Sequence, residues 1–205
     1  VTGSQISSPS PRQFMQLRAT LTTDRADVAA SLSSIVVNMS DPVAESLVSE
    51  VWPLRIDHVG EEEEFSLYLR PEFSSSAQGF DEIRVVSTAG TRMELLSAHF
   101  GSDSDFENDS TNDLALTELE IPSVAPDSLH FKMPASVRRG TDLVEIRFRA
   151  TVLGNSGSFR SFVRDSGEGI WQRVDEGDAT DLVASQSVTV LALEGSQVLS
   201  NISVS

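Results

Sequence analysis

Apolar and polar residues alternate with a period of two along stretch after stretch of this chain, and no other property restricts its fold as much. Leu129, Phe131 and Met133 alternate with Ser128, His130 and Lys132. Val144, Ile146, Phe148, Ala150 and Val152 alternate with Glu145, Arg147, Arg149 and Thr151. Successive side chains of a strand point to opposite faces, so each run buries one face and wets the other. The pattern predicts an all-β protein built as an antiparallel β-sandwich, immunoglobulin-like or jelly-roll-like. Strands are expected near residues 47–56, 64–71, 82–88, 93–100, 115–121, 128–134, 142–153, 158–165, 170–175, 185–193 and 197–204, with turn chemistry such as Gly154-Asn155-Ser156-Gly157 and Ser166-Gly167-Glu168-Gly169 between them. Val43–Glu50 is the one helix candidate, and its pattern also fits an irregular entry to a strand.

Composition narrows the function classes. The chain has 31 acidic and 15 basic residues, for a net charge of -16. Such a field repels phosphate backbones and anionic headgroups, so neither nucleic acid nor membrane insertion is expected. It favours solubility and would attract divalent cations. The chain has no cysteine, which excludes disulfides, zinc–thiolate sites and cysteine nucleophiles. No apolar run is long enough for a membrane-spanning helix. The first residue is Val1 rather than Met, and the chain reads as an excised piece of a longer protein.

Two regions are expected. Residues 1–42 form a lead-in plus a strand pair. Met15, Leu17, Ala19 and Leu21 alternate with polar neighbours, as do Ile35, Val37 and Met39. The segments Gln13–Thr23 and Leu32–Val37 resemble the closing strands of a jelly-roll or laminin-G-like domain, which implies the end of a truncated neighbour. Two strands alone are marginal in water, so they need cover from elsewhere. Residues 43–205 form the sandwich domain. Phe65–Pro71, Gly79–Ile83, Val144–Ala150 and Trp171–Ala179 resemble a module of bacterial multidomain surface or secreted proteins. That resemblance implies an immunoglobulin-like or cohesin-like sandwich with a structural or adhesive role, and it carries over no catalytic residue.

The sharpest local feature is the acidic stretch 101–113, which offers Asp103, Asp105, Glu107, Asp109 and Asp113. Calcium takes six to eight oxygen ligands, and closely spaced carboxylates in a loop can supply them. The spacing begins like an EF-hand loop, but Asn108 stands where that loop needs glycine. The alternative is a solvated acidic loop. Glu61–Glu64 reads as charge guarding a strand edge. His58, His99 and His130 lack zinc spacing and read as structural, with His99 near enough to join the acidic loop. No serine sits in a Gly-x-Ser-x-Gly elbow. Trp52, Tyr68 and Trp171 could form a sugar-stacking platform, although Trp171 is expected to anchor its strand in the core.

These readings converge on a non-enzymatic structural or adhesive module, extracellular or at a cell surface. No cofactor is required, and calcium is the one ion considered. Its expected partners are neighbouring domains or other copies in a surface layer or filament. The alternative is a carbohydrate-binding module that takes glycans and is stabilised by calcium.

Overall fold

The computed structural model describes residues 14–25, 27–37, 41–88, 92–121, 125–138 and 141–192. Its elements are almost all strands: β1 (Ser46–Trp52), β2 (Arg55–Ile56), β3 (Glu62–Glu72), β4 (Phe80–Ser87), β5 (Met93–Gly101), β6 (Asn112–Leu114), β7 (Ser128–Val137), β8 (Leu143–Thr151), β9 (Ser156–Arg164), β10 (Gln172–Arg173), β11 (Asp175–Glu176) and β12 (Thr189–Ala192). One short helix, α1 (Asp103–Glu107), joins β5 to β6.

The strands form two sheets, ordered β11-β1-β3-β8-β5-β6 and β2-β12-β9-β4-β7, with β10 paired to β9. The long ladders are antiparallel, such as Phe65 opposite Phe148 and Ile83 opposite Val163. Two short edge pairings, β1 with β11 and β2 with β12, are parallel. The chain is therefore an all-β sandwich, as its alternation dictates.

The core lies between the sheets. Phe65, Phe148 and Phe159 are buried at its centre, with ring centroids 5.0–5.7 Å apart. Leu67, Ile83, Phe131, Ile146 and Val163 surround them. Each belongs to the apolar half of an alternating run. Fully burying one such side chain contributes about 1.5–3 kcal/mol. A smaller apolar cluster of Tyr68, Leu143 and Ala179 sits on the opposite face of the first sheet, beneath the chain that passes residues 178–185.

Three expectations need correction. Residues 115–121 do not form a strand. Leu116–Glu118 make a single 3-10 turn whose start is tied by the Glu118 carboxylate, which accepts from the Ala115 N–H at 2.9 Å. Leu116 and Leu119 are spaced three apart, which suits a turn better than a pleat. Only Glu120 reaches a strand, pairing with Lys132 on β7. Second, the strand pair over 13–39 is not formed among the described residues: 14–25 and 27–37 carry no ladder, and each described residue from 14 to 36 is exposed. The alternation is there, but no second apolar surface lies against it. Third, the acidic stretch is a capped helical turn rather than an open loop. The expected strand at 197–204 falls outside the described residues.

Candidate functional site

The five acids singled out from sequence diverge. Asp105 turns back on the start of α1, where its carboxylate accepts from the Ser102 N–H at 2.8 Å and the Ser102 hydroxyl at 2.7 Å. Those two bonds hold its carboxyl below the usual range. Asp103 forms a forked pair with Arg70 of β3, at 2.6 and 3.1 Å, while the Arg70 Nε donates to the Ala179 carbonyl. Asp113 bonds His99 at 2.6 Å, which lowers its carboxyl as well. Glu107 and Asp109 point into solvent. Among the described residues no three carboxylates or histidines converge on one point. The stretch is ordered through protein partners, with His99 contributing as its sequence position suggested.

His99 also contacts Ser97, whose Oγ lies 2.8 Å from Nε2. Ser97, His99 and Asp113 thus form a serine–histidine–carboxylate relay with hydrogen-bond geometry like that of a nucleophilic triad. Sequence motifs could not reveal it, because it depends on β6 pairing with β5 so that Asp113 faces His99. Acyl transfer also requires oxyanion donors and a cleft beside the serine. Ser97 does not line the groove described below.

A second polar network covers the outer face of the other sheet. Glu82 of β4 is 5% exposed, and its Oε2 accepts from Arg164 Nε at 2.8 Å. The same oxygen contacts the His130 Nε2 at 2.7 Å. Trp171 lies over both partners. The Arg164 guanidinium is 4.5 Å from its ring centre and the His130 ring meets it edge-on at 5.3 Å. Trp171 therefore roofs an ion pair outside the core, which corrects the expected core position. Gln172 is the residue that turns inward, accepting from the Val43 N–H and donating to the Ala44 carbonyl. Glu82 and Arg164 face the same way because period two places them on the polar side of adjacent strands in register. Tyr68 sits on the outer face of the first sheet, its hydroxyl pushed up to about 12, first by burial and then by Glu145. Tyr68 and Trp171 therefore share no platform.

Of the run Glu61–Glu64, expected to guard a strand edge, Glu62–Glu64 lie within β3 and pair with β8. Glu64 bonds Arg149 at 2.9 Å and Glu62 lies 3.9 Å from it, across the ladder.

Glu50 of β1 is fully buried. Its Oε1 accepts the N–H groups of Ala179 at 3.0 Å and Thr180 at 2.7 Å. Its Oε2 has no hydrogen-bond partner, and burial raises its pKa. Glu50 and Arg70 together clamp the 178–185 segment onto the first sheet.

A groove of about 560 Å³ opens between β5 and β7, with Met93, Leu95, Leu116, Ile121, Leu129 and Phe131 along it. That volume lies within the range of about 300–1,000 Å³ common for binding pockets. It is bordered by Leu116, Ile121 and Pro126 of the connection between β6 and β7.

No protein-family model matches the chain, and no curated protein does. Among solved structures it is similar to a DUF4466 family protein from Parabacteroides merdae, at 14% identity and TM-score 0.39, over 63% of this chain and 42% of that one. It is also similar to BcpA, the major pilin subunit of Bacillus cereus, at 6% identity and TM-score 0.41, over 73% of this chain and 40% of that one. A cohesin module from a Clostridium perfringens family 33 glycoside hydrolase matches at 12% identity and TM-score 0.37, over 73% of this chain and 98% of that one. The match spans about two fifths of the first two proteins.

Proposed function

We propose that this chain is a non-enzymatic structural or adhesive module that works by assembling with other domains or copies outside the cell. One observation carries the reading. The sandwich completes its own core from residue 43 onward, yet the preceding segment keeps an apolar set uncovered: Phe14 is 89% exposed, Val36 81%, Ile35 55% and Leu21 53%. An exposed apolar surface of this kind marks a contact to be made with something else. The net charge of -16 keeps the free module soluble until that contact forms. Among the described residues no helix is long and apolar enough to cross a membrane.

The test pairs sedimentation velocity over a wide concentration range with a glycan array, both on the full chain. Concentration-dependent self-association without selective glycan binding supports the module reading. A chain that stays monomeric and binds one glycan class reproducibly overturns it.

A further inference from the structure

We propose that the outer face of the sheet β2-β12-β9-β4-β7 docks an extended acidic segment of a partner protein, held by Arg84, Arg160 and Arg173. This rests on the assembly reading above and gives it a surface and a partner chemistry.

The face is basic within an acidic chain. Period two turns Arg84 of β4, Arg160 and Arg164 of β9 and Lys132 of β7 away from the core, and the β9 register places Arg173 of β10 on the same side. Arg164 is matched to Glu82, and Lys132 lies 3.6 Å from Asp81. Arg84, Arg160 and Arg173 are exposed, and among the described residues they enter no ion pair. They are left over in a chain that has 31 acids against 15 bases. All three surround half-buried Phe162. Arg84 and Arg173 stand opposite it on its two neighbouring strands, and Arg160 lies two residues along β9. Strands lie about 4.8 Å apart and rise about 3.4 Å per residue, so each arginine backbone is within about 7 Å of that of Phe162.

Beside Arg160 and Arg173 the sheet opens into a polar cavity of about 100 Å³, with Ser158, Thr189 and Glu176 around it. One oxygen of Glu176 is already held by the Ser187 hydroxyl and the Val188 N–H. Water occupies about 30 Å³ per molecule, so the cavity has room for a carboxylate.

These features select the occupant. Planar guanidiniums take carboxylates in forked pairs. Side chains on one face of an extended polypeptide repeat about every 6.8 Å, the same step as Arg160, Phe162 and Arg164 along β9. A glycan fits less well, because Trp171, the ring a sugar would stack on, already carries the Arg164 guanidinium on one face. At physiological salt the Debye length is about 8 Å, so a segment on this face feels these arginines while charge beyond the opposite sheet is screened.

Poly-L-glutamate titrated into the full chain by calorimetry at about 0.15 M salt tests this. One triple variant carries Arg84→Gln, Arg160→Gln and Arg173→Gln. A control triple carries Arg18→Gln, Arg147→Gln and Arg149→Gln, which removes the same charge elsewhere. Melting checks that both remain folded. The wild type is expected to bind, the face variant to lose more than about tenfold in affinity, and the control to change by less than about twofold. Equal losses in the two variants overturn the proposal, since general charge then explains the binding. Binding of heparin without binding of poly-L-glutamate overturns the polypeptide as occupant. Self-association of the full chain with no poly-L-glutamate binding overturns the docking face and leaves the assembly reading intact.

Discussion

Two buried carboxylates show how environment decides the role of the same kind of residue. Glu82 is matched by Arg164 and His130 under the Trp171 ring, so its charge is compensated. Removing one member of such a buried pair typically costs about 3–5 kcal/mol, because the remaining charge stays desolvated. Glu82→Ala is expected to destabilise by about 3 kcal/mol in urea titration. Asp103→Ala, which breaks a half-exposed pair, should cost about 1 kcal/mol or less. Equal losses would contradict the distinction. Glu50 has no cation partner, and burial raises its pKa in the folded state. The folded protein then holds a proton that the unfolded chain releases. Its contribution to stability is therefore present at low pH and is lost as pH rises above about 4.5 toward the raised value. The Glu50→Gln variant should lack this part of the fall in stability, read by urea unfolding at a series of pH values between acid and neutral. Parallel pH profiles for the two proteins would refute the assignment.

At the scale of elements, α1 shows a short segment ordered from both ends. Ser102 and Asp105 form a reciprocal capping box, and Arg70 fixes Asp103 from the adjoining sheet. Loss of such a cap costs about 1 kcal/mol, so Asp105→Ala is expected to lower stability by that amount. With Asp103, Asp105 and Asp113 bound to Arg70, Ser102 and His99, the melting temperature should be the same in millimolar calcium and in chelator at matched ionic strength. A rise specific to calcium, lost in Asp103→Asn with Asp105→Asn, would instead establish the cation site. The β5–β6 hairpin raises a separate question through its Ser97–His99–Asp113 relay. A fluorophosphonate probe is expected to leave Ser97 unlabelled in the folded chain. Labelling that disappears in His99→Ala would make the relay a nucleophile and overturn the non-enzymatic reading.

At the scale of the whole molecule, the described core residues lie in the sandwich, and the exposed segment before it is the part proposed to take a partner. Among the described residues, those of the core run from Val43 to Ala192. Proteolysis of the full chain should therefore remove residues before about Val43 quickly while the remaining body keeps its melting temperature. A body that loses its transition when trimmed would show that the segment belongs to the fold.

The sequence by itself determined the strands of this protein, because alternation is local. Val144, Ile146, Phe148 and Ala150 are buried as their spacing requires, and Glu145 and Arg147 on the opposite face are not. The same logic failed where a local competitor or a missing partner intervened: the Glu118 cap over 115–121, and the uncovered run at 14–37. Only the tertiary structure decided which faces and ends meet. Glu50 is clamped by Ala179, 129 residues away, because β1 lies beneath the chain that passes 178–185. Trp171 roofs Arg164 and His130 because β10 pairs with β9 and leaves the ring outside the core. His99 meets Asp113 through the β5–β6 register. A period of two assigns each side chain a face, but sheet order and register set its neighbours, and those are fixed by contacts between residues far apart in the chain.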